Sequence, residues 1–118
     1  MSELALLSQA TKPKDIIFAL QEECQLSRND IASALDILPS HVRSCLYGTT
    51  LAPVARVCLQ DLKDVCLLLS QVLEKYHIAR WLNDINPDLG RRTALELIAT
   101  GETKKLKRAI NKLIRESK

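Results

Sequence analysis

Cys58, Leu62, Val65, Leu69, Val72 and Tyr76 follow one another at spacings of 4, 3, 4, 3 and 4 residues behind a proline at position 53. An apolar residue at every third or fourth position lays one stripe down one side of an α-helix, whereas a half-buried strand needs strict alternation. Pro53 suits a helix start, because its missing N–H is one that the first turn leaves unpaired anyway. The spacing predicts a long helix from Val54 to about His77. Leu59, Cys66, Leu68 and Leu73 widen its stripe beyond the narrow seam of a two-stranded coil. Two readings stay open for Leu62, Val65, Leu69 and Val72: core within one chain, or core shared with a homodimer interface.

The rest of the chain is also helical in pattern. Glycine (3) and proline (4) are scarce, and no alternating Val/Thr/Tyr run is bounded by turns. The expectation is an all-α fold, as one domain or as two small helical units sharing a core. Apolar residues are 47% of 118 but aromatics only 3%, so Leu, Ile, Val and Ala must supply the packing. Cys24, Cys45, Cys58 and Cys66 fall on apolar helix positions with no CxxC pair, which predicts reduced thiols acting as small core hydrophobes rather than metal ligands. The first ten residues lack the pattern of a signal peptide, and no uncharged run, the apolar Val65 to Val72 included, is long enough to span a bilayer. A cytoplasmic protein is expected.

Met1 to Lys14 reads as an arm or short helix, with Pro13 setting the start of the next element. Asp15 to Cys24 reads as a helix with Ile16, Phe18, Ala19 and Leu20 on its apolar face and Ile17 beside it. Ser27, with Asp30 three residues on, caps a helix carrying Ile31, Ala32 and Leu35. A break at Asp36 to Pro39 follows, and Ser40 is expected to cap a second short helix carrying Val42, Cys45 and Leu46 up to Gly48. The spacing resembles the Xre-like repressor helix-turn-helix, with Asp36 at the turn position usually filled by glycine. The resemblance implies that Ser40 to Tyr47 is a recognition helix. It presents Ser40, His41, Arg43, Ser44 and Tyr47 to DNA, with Arg28 near the phosphates. Residues 26–50 carry two arginines against two aspartates, so a retained scaffold that reads no DNA is the competing reading.

The C-terminal third begins with an apolar patch of Ile78, Trp81 and Leu82 and a turn at Asn86-Pro87-Asp88. Leu89 and Gly90 lead to a helix from about Arg92 to Thr100 carrying Leu95, Leu97 and Ile98, and Gly101 ends it. A last helix, Glu102 to Glu116, carries Leu106, Ala109, Ile110, Leu113 and Ile114 inside. Lys104, Lys105, Lys107, Arg108, Lys112 and Arg115 lie on or beside its outer face. From Arg91 onward there are nine basic residues and three acidic. That face can be merely solvated, can meet an acidic protein surface, or can touch DNA phosphates.

Trp81-Leu82, Asn86-Pro87, Leu89-Gly90-Arg91, Leu95 to Leu97 and Gly101 together resemble the toxin-binding domain of the Xre/MbcA/ParS antitoxins. Arg91 stands where that family commonly has a second glycine, and Ala94 where it has a proline. The resemblance divides the chain into a helix-turn-helix region (1–52), a connecting and dimerisation helix (53–77) and a toxin-binding domain (78–118). It implies an antitoxin that represses its own operon as a homodimer and masks a cognate toxin, in this family often a RES-domain enzyme that consumes NAD. The implied toxin-binding residues are Trp81, Asn86, Leu89, Arg91, Arg92, Lys104, Lys105 and Arg108. The alternative is a stand-alone Xre-like repressor from a phage or mobile element. No enzyme activity, cofactor or metal is expected, because no paired carboxylate, base-assisted nucleophile or ligand cluster is visible.

Overall fold

All four prolines open a helical element, and Ser27 and Thr93 each cap one. A computed structural model describes residues 4–117. Its helices are α1 (Ala5–Gln9), α2 (Pro13–Glu23), α3 (Arg28–Leu35), α4 (Pro39–Cys45), α5 (Pro53–Leu69), α6 (Lys75–Asn83), α7 (Ala94–Ala99) and α8 (Thr103–Glu116). A 3₁₀ turn at Pro87–Leu89 precedes α7. No strand occurs among the described residues, so the fold is all-α. The capping predictions hold in detail at Ser27, whose Oγ accepts from the Asp30 N–H at 3.0 Å while the Asp30 carboxylate accepts from the Ser27 N–H at 2.9 Å. Thr93 and Glu96 make the same reciprocal pair at α7. Ser40 does not cap α4: Pro39 is its first residue, and extended Leu38 precedes it with no side-chain cap.

The expected helix from Val54 to His77 is two helices. α5 ends at Leu69, where the Ser70 hydroxyl donates to the Leu67 carbonyl at 2.6 Å and the Gln71 and Val72 N–H groups close tight i−3 bonds. The chain turns, and α6 starts after extended Glu74. A straight continuation would carry Ile78 and Leu82 away from the body, whereas the fold-back buries both completely. Each such burial is worth roughly 1.5–3 kcal/mol. Val72 is left half-buried and Tyr76 exposed.

Leu62, Val65 and Leu69 are fully buried within their own chain, which corrects the reading of these residues as a dimer seam. α5 lies against α1, α2, α3, α7 and α8, so its stripe is already covered on several sides. Along α2, Phe18 is half exposed and Ile17 fully buried, the reverse of the expected ranking. At 3.6 residues per turn Phe18 lies roughly 200° around the helix from Ile16, while Ile16, Leu20 and Cys24 stack one above another.

One continuous apolar core runs from Leu4 to Ile110, and the segments 1–52, 53–77 and 78–118 all contribute to it. α7 packs directly against α3, bringing the C-terminal third onto the back of the helix-turn-helix. Polar bonds fasten the same joins. The Asn83 amide donates to Asp30 Oδ1 at 3.1 Å, and the Thr103 hydroxyl to Asp61 Oδ2 at 2.9 Å. The radius of gyration, 13.3 Å, matches the roughly 13.5 Å of one compact body of this length. α1 is held at both ends: Glu23 accepts from the Leu6 and Leu7 N–H groups, and buried Lys63 donates to the Ala10 carbonyl at 2.6 Å. All four cysteines are free and buried. A hydrogen bond that the Cys66 thiol donates to Cys24, together with burial, pushes Cys66 well above its ordinary pKa, and burial raises Cys45 and Cys58. Among the described residues no helix is long and apolar enough to cross a membrane.

Candidate nucleic-acid interface

The turn between α3 and α4 depends on one backbone conformation. Asp36 sits in the left-handed region (φ 55°, ψ 47°), and across it the Ile37 N–H donates to the Ala32 carbonyl at 3.1 Å. That closure satisfies an end carbonyl of α3 and redirects the chain sharply. Aspartate tolerates the conformation better than most residues do. Ile37 and Leu38 then lead into α4, whose Val42 and Cys45 are buried against the body. The opposite side of α4 is left to solvent.

On that outer side Ser40 and Arg43 are exposed three residues apart, and Tyr47, expected on the same helix, is exposed in the turn after α4, which ends at Cys45. Tyr47 is 81% exposed, unusual for an aromatic residue with nothing packed on it. Arg28 is exposed at the first position of α3. Arginine presents five donors in a flat fork that matches guanine or phosphate. The other two expected contacts are partly committed elsewhere. The Ser44 hydroxyl donates to the Ser40 carbonyl at 3.0 Å, and half-buried His41 has Nε2 3.5 Å from the Thr50 carbonyl.

Three cations that sequence reasoning left aside lie close to the end of α4. Lys12 and Lys14 come from the start of α2 and Arg56 from the first turn of α5, and all three line a groove with Cys45, Gly48, Thr49 and Thr50. The neutral charge count over residues 26–50 misses them, because they come from outside that window. The only sequence hint is that each lies within three residues of a helix-opening proline beside the helix-turn-helix.

The C-terminal residues divide into exposed and committed groups. Arg91, Lys104, Lys105 and Arg108 are exposed, and Trp81 is half-buried beside a groove with Leu73, His77, Arg80 and Asp84. Leu89 is buried core, so it offers no contact surface. The Asn86 side chain accepts from the Asp88 N–H at 2.9 Å, and its backbone pairs with Arg91 and Arg92, which makes it the organiser of the loop. Arg92 donates to Glu102 Oε2 at 2.6 Å and to the Thr100 hydroxyl at 3.0 Å, closing α7 onto the start of α8. The Thr100 hydroxyl and then the Arg92 guanidinium hold the Glu102 carboxyl below its ordinary pKa. Leu89 and Arg92 are therefore structural, as is the Asn86 side-chain oxygen. The basic face of α8 keeps Lys104, Lys105, Arg108 and Lys112 outward, with a shallow groove along Asp88, Lys105, Arg108 and Lys112. The chain matches no protein-family model, no curated protein and no solved structure.

Proposed function

We propose that this protein is a DNA-binding antitoxin, with α4 reading an operator and the exposed cations of the C-terminal third holding a toxin. The observation that carries the DNA-binding half is the left-handed turn at Asp36. It sets α4 so that Val42 and Cys45 anchor it while Ser40 and Arg43 face outward, with Tyr47 exposed in the turn after it. A short helix anchored on one side and bearing Arg and Ser on the other suits insertion into a major groove. Support for the toxin-binding half is the resemblance of residues 78–113 together with the exposed Arg91, Lys104, Lys105 and Arg108. A stand-alone repressor needs the first surface and not the second.

Selection of bound sites from a random duplex pool tests the first surface. Arg43→Ala is expected to relax selection at one base position, at about 1–3 kcal/mol if Arg43 reads a base; unchanged selection would remove α4 as the reader. Co-expression with the product of the adjoining open reading frame, followed by affinity purification, tests the second. The wild type is expected to retain the partner and Lys104→Glu/Arg108→Glu to lose it. Retention by both would place the contact elsewhere, and no partner with either would leave the repressor reading.

A further inference from the structure

A groove of about 590 Å³ opens beside the C-terminal end of α4. Small-molecule sites run from roughly 300 to 1,000 Å³. Three separate stretches of chain build its walls. Lys12 and Lys14 come from the entry to α2, Thr49 and Thr50 from the loop after α4, and Arg56 from α5. Half-buried Pro13 and the aliphatic stems of Lys12, Lys14 and Arg56 give it apolar surface, with Leu51 and Cys45 almost wholly buried beneath. No carboxylate lines it, and Lys12, Lys14 and Arg56 join no ion pair among the described residues. The Cys45 thiol, raised in pKa by burial, stays neutral and cancels none of that charge.

Exposed lysines are usually spread so that solvent screens each one separately. Here three cations converge on one concavity with hydroxyl donors between them, and a concave wall concentrates their field. The charge suits a ligand with several negative charges on neighbouring atoms, and the apolar surface suits a ligand that also has a flat organic part. The α4 residue that lines the groove is Cys45, from the inward side, and neither exposed Arg43 nor Tyr47 lines it. A duplex lying on the outer side of α4 carries one charge per phosphate and is too broad to enter a recess beside it.

We infer that this groove binds the phosphate chain of a free nucleoside di- or triphosphate. Lys12, Lys14 and Arg56 meet the phosphates, Thr49 and Thr50 donate hydrogen bonds, and the nucleoside lies toward Pro13. The inference stands whether or not α4 reads DNA.

Titration calorimetry of the full chain at about 0.1 M salt, where the screening length is about 10 Å, provides the test. The probes are ADP, adenosine and a short mixed-sequence duplex. ADP is expected to bind at least about tenfold more tightly than adenosine, because the phosphates carry the interaction. Lys14→Gln/Arg56→Gln is expected to weaken ADP by about tenfold or more. Lys104→Gln/Lys105→Gln removes the same charge from α8 and is expected to change it by less than about twofold. Arg43→Ala should leave ADP binding unchanged, which separates this site from the DNA reading. Three results would overturn the inference: ADP binding no tighter than adenosine, equal weakening by both double variants, or duplex binding alone responding to Lys14→Gln/Arg56→Gln.

Discussion

Asp36 and Arg91 are non-glycine residues held at φ 55° and φ 60°. Both lie where the resembling families place glycine, and the backbone shows the reason: each turn needs the left-handed region. That region costs an L-residue roughly 1–2 kcal/mol, less for aspartate. Glycine relieves the strain but loses more chain entropy on folding, so the net gain is smaller. Asp36→Gly and Arg91→Gly are each expected to raise stability by up to about 1 kcal/mol, read from the denaturant midpoint. A loss at position 91 would mean that its guanidinium makes stabilising contacts. Arg91 and Arg92 are neighbours with opposite fates. Arg92 is spent on Glu102 and Thr100, while Arg91 is exposed and strained, so it is the arginine of this loop free to meet a partner.

At the scale of the element, α5 carries the clearest pattern in the sequence, and that pattern fits two environments equally well. A coiled-coil seam and a buried bundle helix both want apolar residues every third and fourth position. The fold chooses the second, with Leu59, Leu62, Val65, Cys66 and Leu69 buried among the other helices. Leu62→Ala should therefore cost about 2–5 kcal/mol in a denaturant titration, as a cavity in a core does, and leave the oligomeric state unchanged in sedimentation. An unchanged midpoint with loss of a dimer would restore the seam. The apolar side chains that α5 does leave outside are Val54 and Val57, on the face away from that core.

Across the whole molecule, the helix-turn-helix and the C-terminal third are not separable. α7 packs on α3, and Leu89, Leu95, Leu97, Ile98, Leu106 and Ile110 all belong to the common core. Burying those six side chains contributes together roughly 9–18 kcal/mol, as much as the 5–15 kcal/mol net stability of an ordinary domain. A chain ending at Asn83 is thus expected to lose cooperative folding, seen as a collapsed helical signal and rapid proteolysis. A truncated chain that still melts cooperatively would show that residues 4–83 hold a core of their own. For the same reason, point substitutions on the surface of α8 test partner binding more cleanly than deletion does.

The sequence by itself determined what is local: the all-α class, the helix starts at Pro13 and Pro53, the Ser27–Asp30 cap, and the inward Ile31, Ala32, Leu35, Val42 and Cys45 of α3 and α4. These follow from relations three or four residues apart, where backbone bonding and side-chain spacing act directly. The tertiary structure decided what depends on distant neighbours. It set the fold-back after Ser70, the burial of Leu62, Val65 and Leu69, and the packing of α7 on α3. It also brought Lys12, Lys14 and Arg56 to one groove from residues more than 40 apart in sequence. An apolar stripe states that a face must be covered but not by what, and a cation's neighbours are set by the packing of the core beneath it.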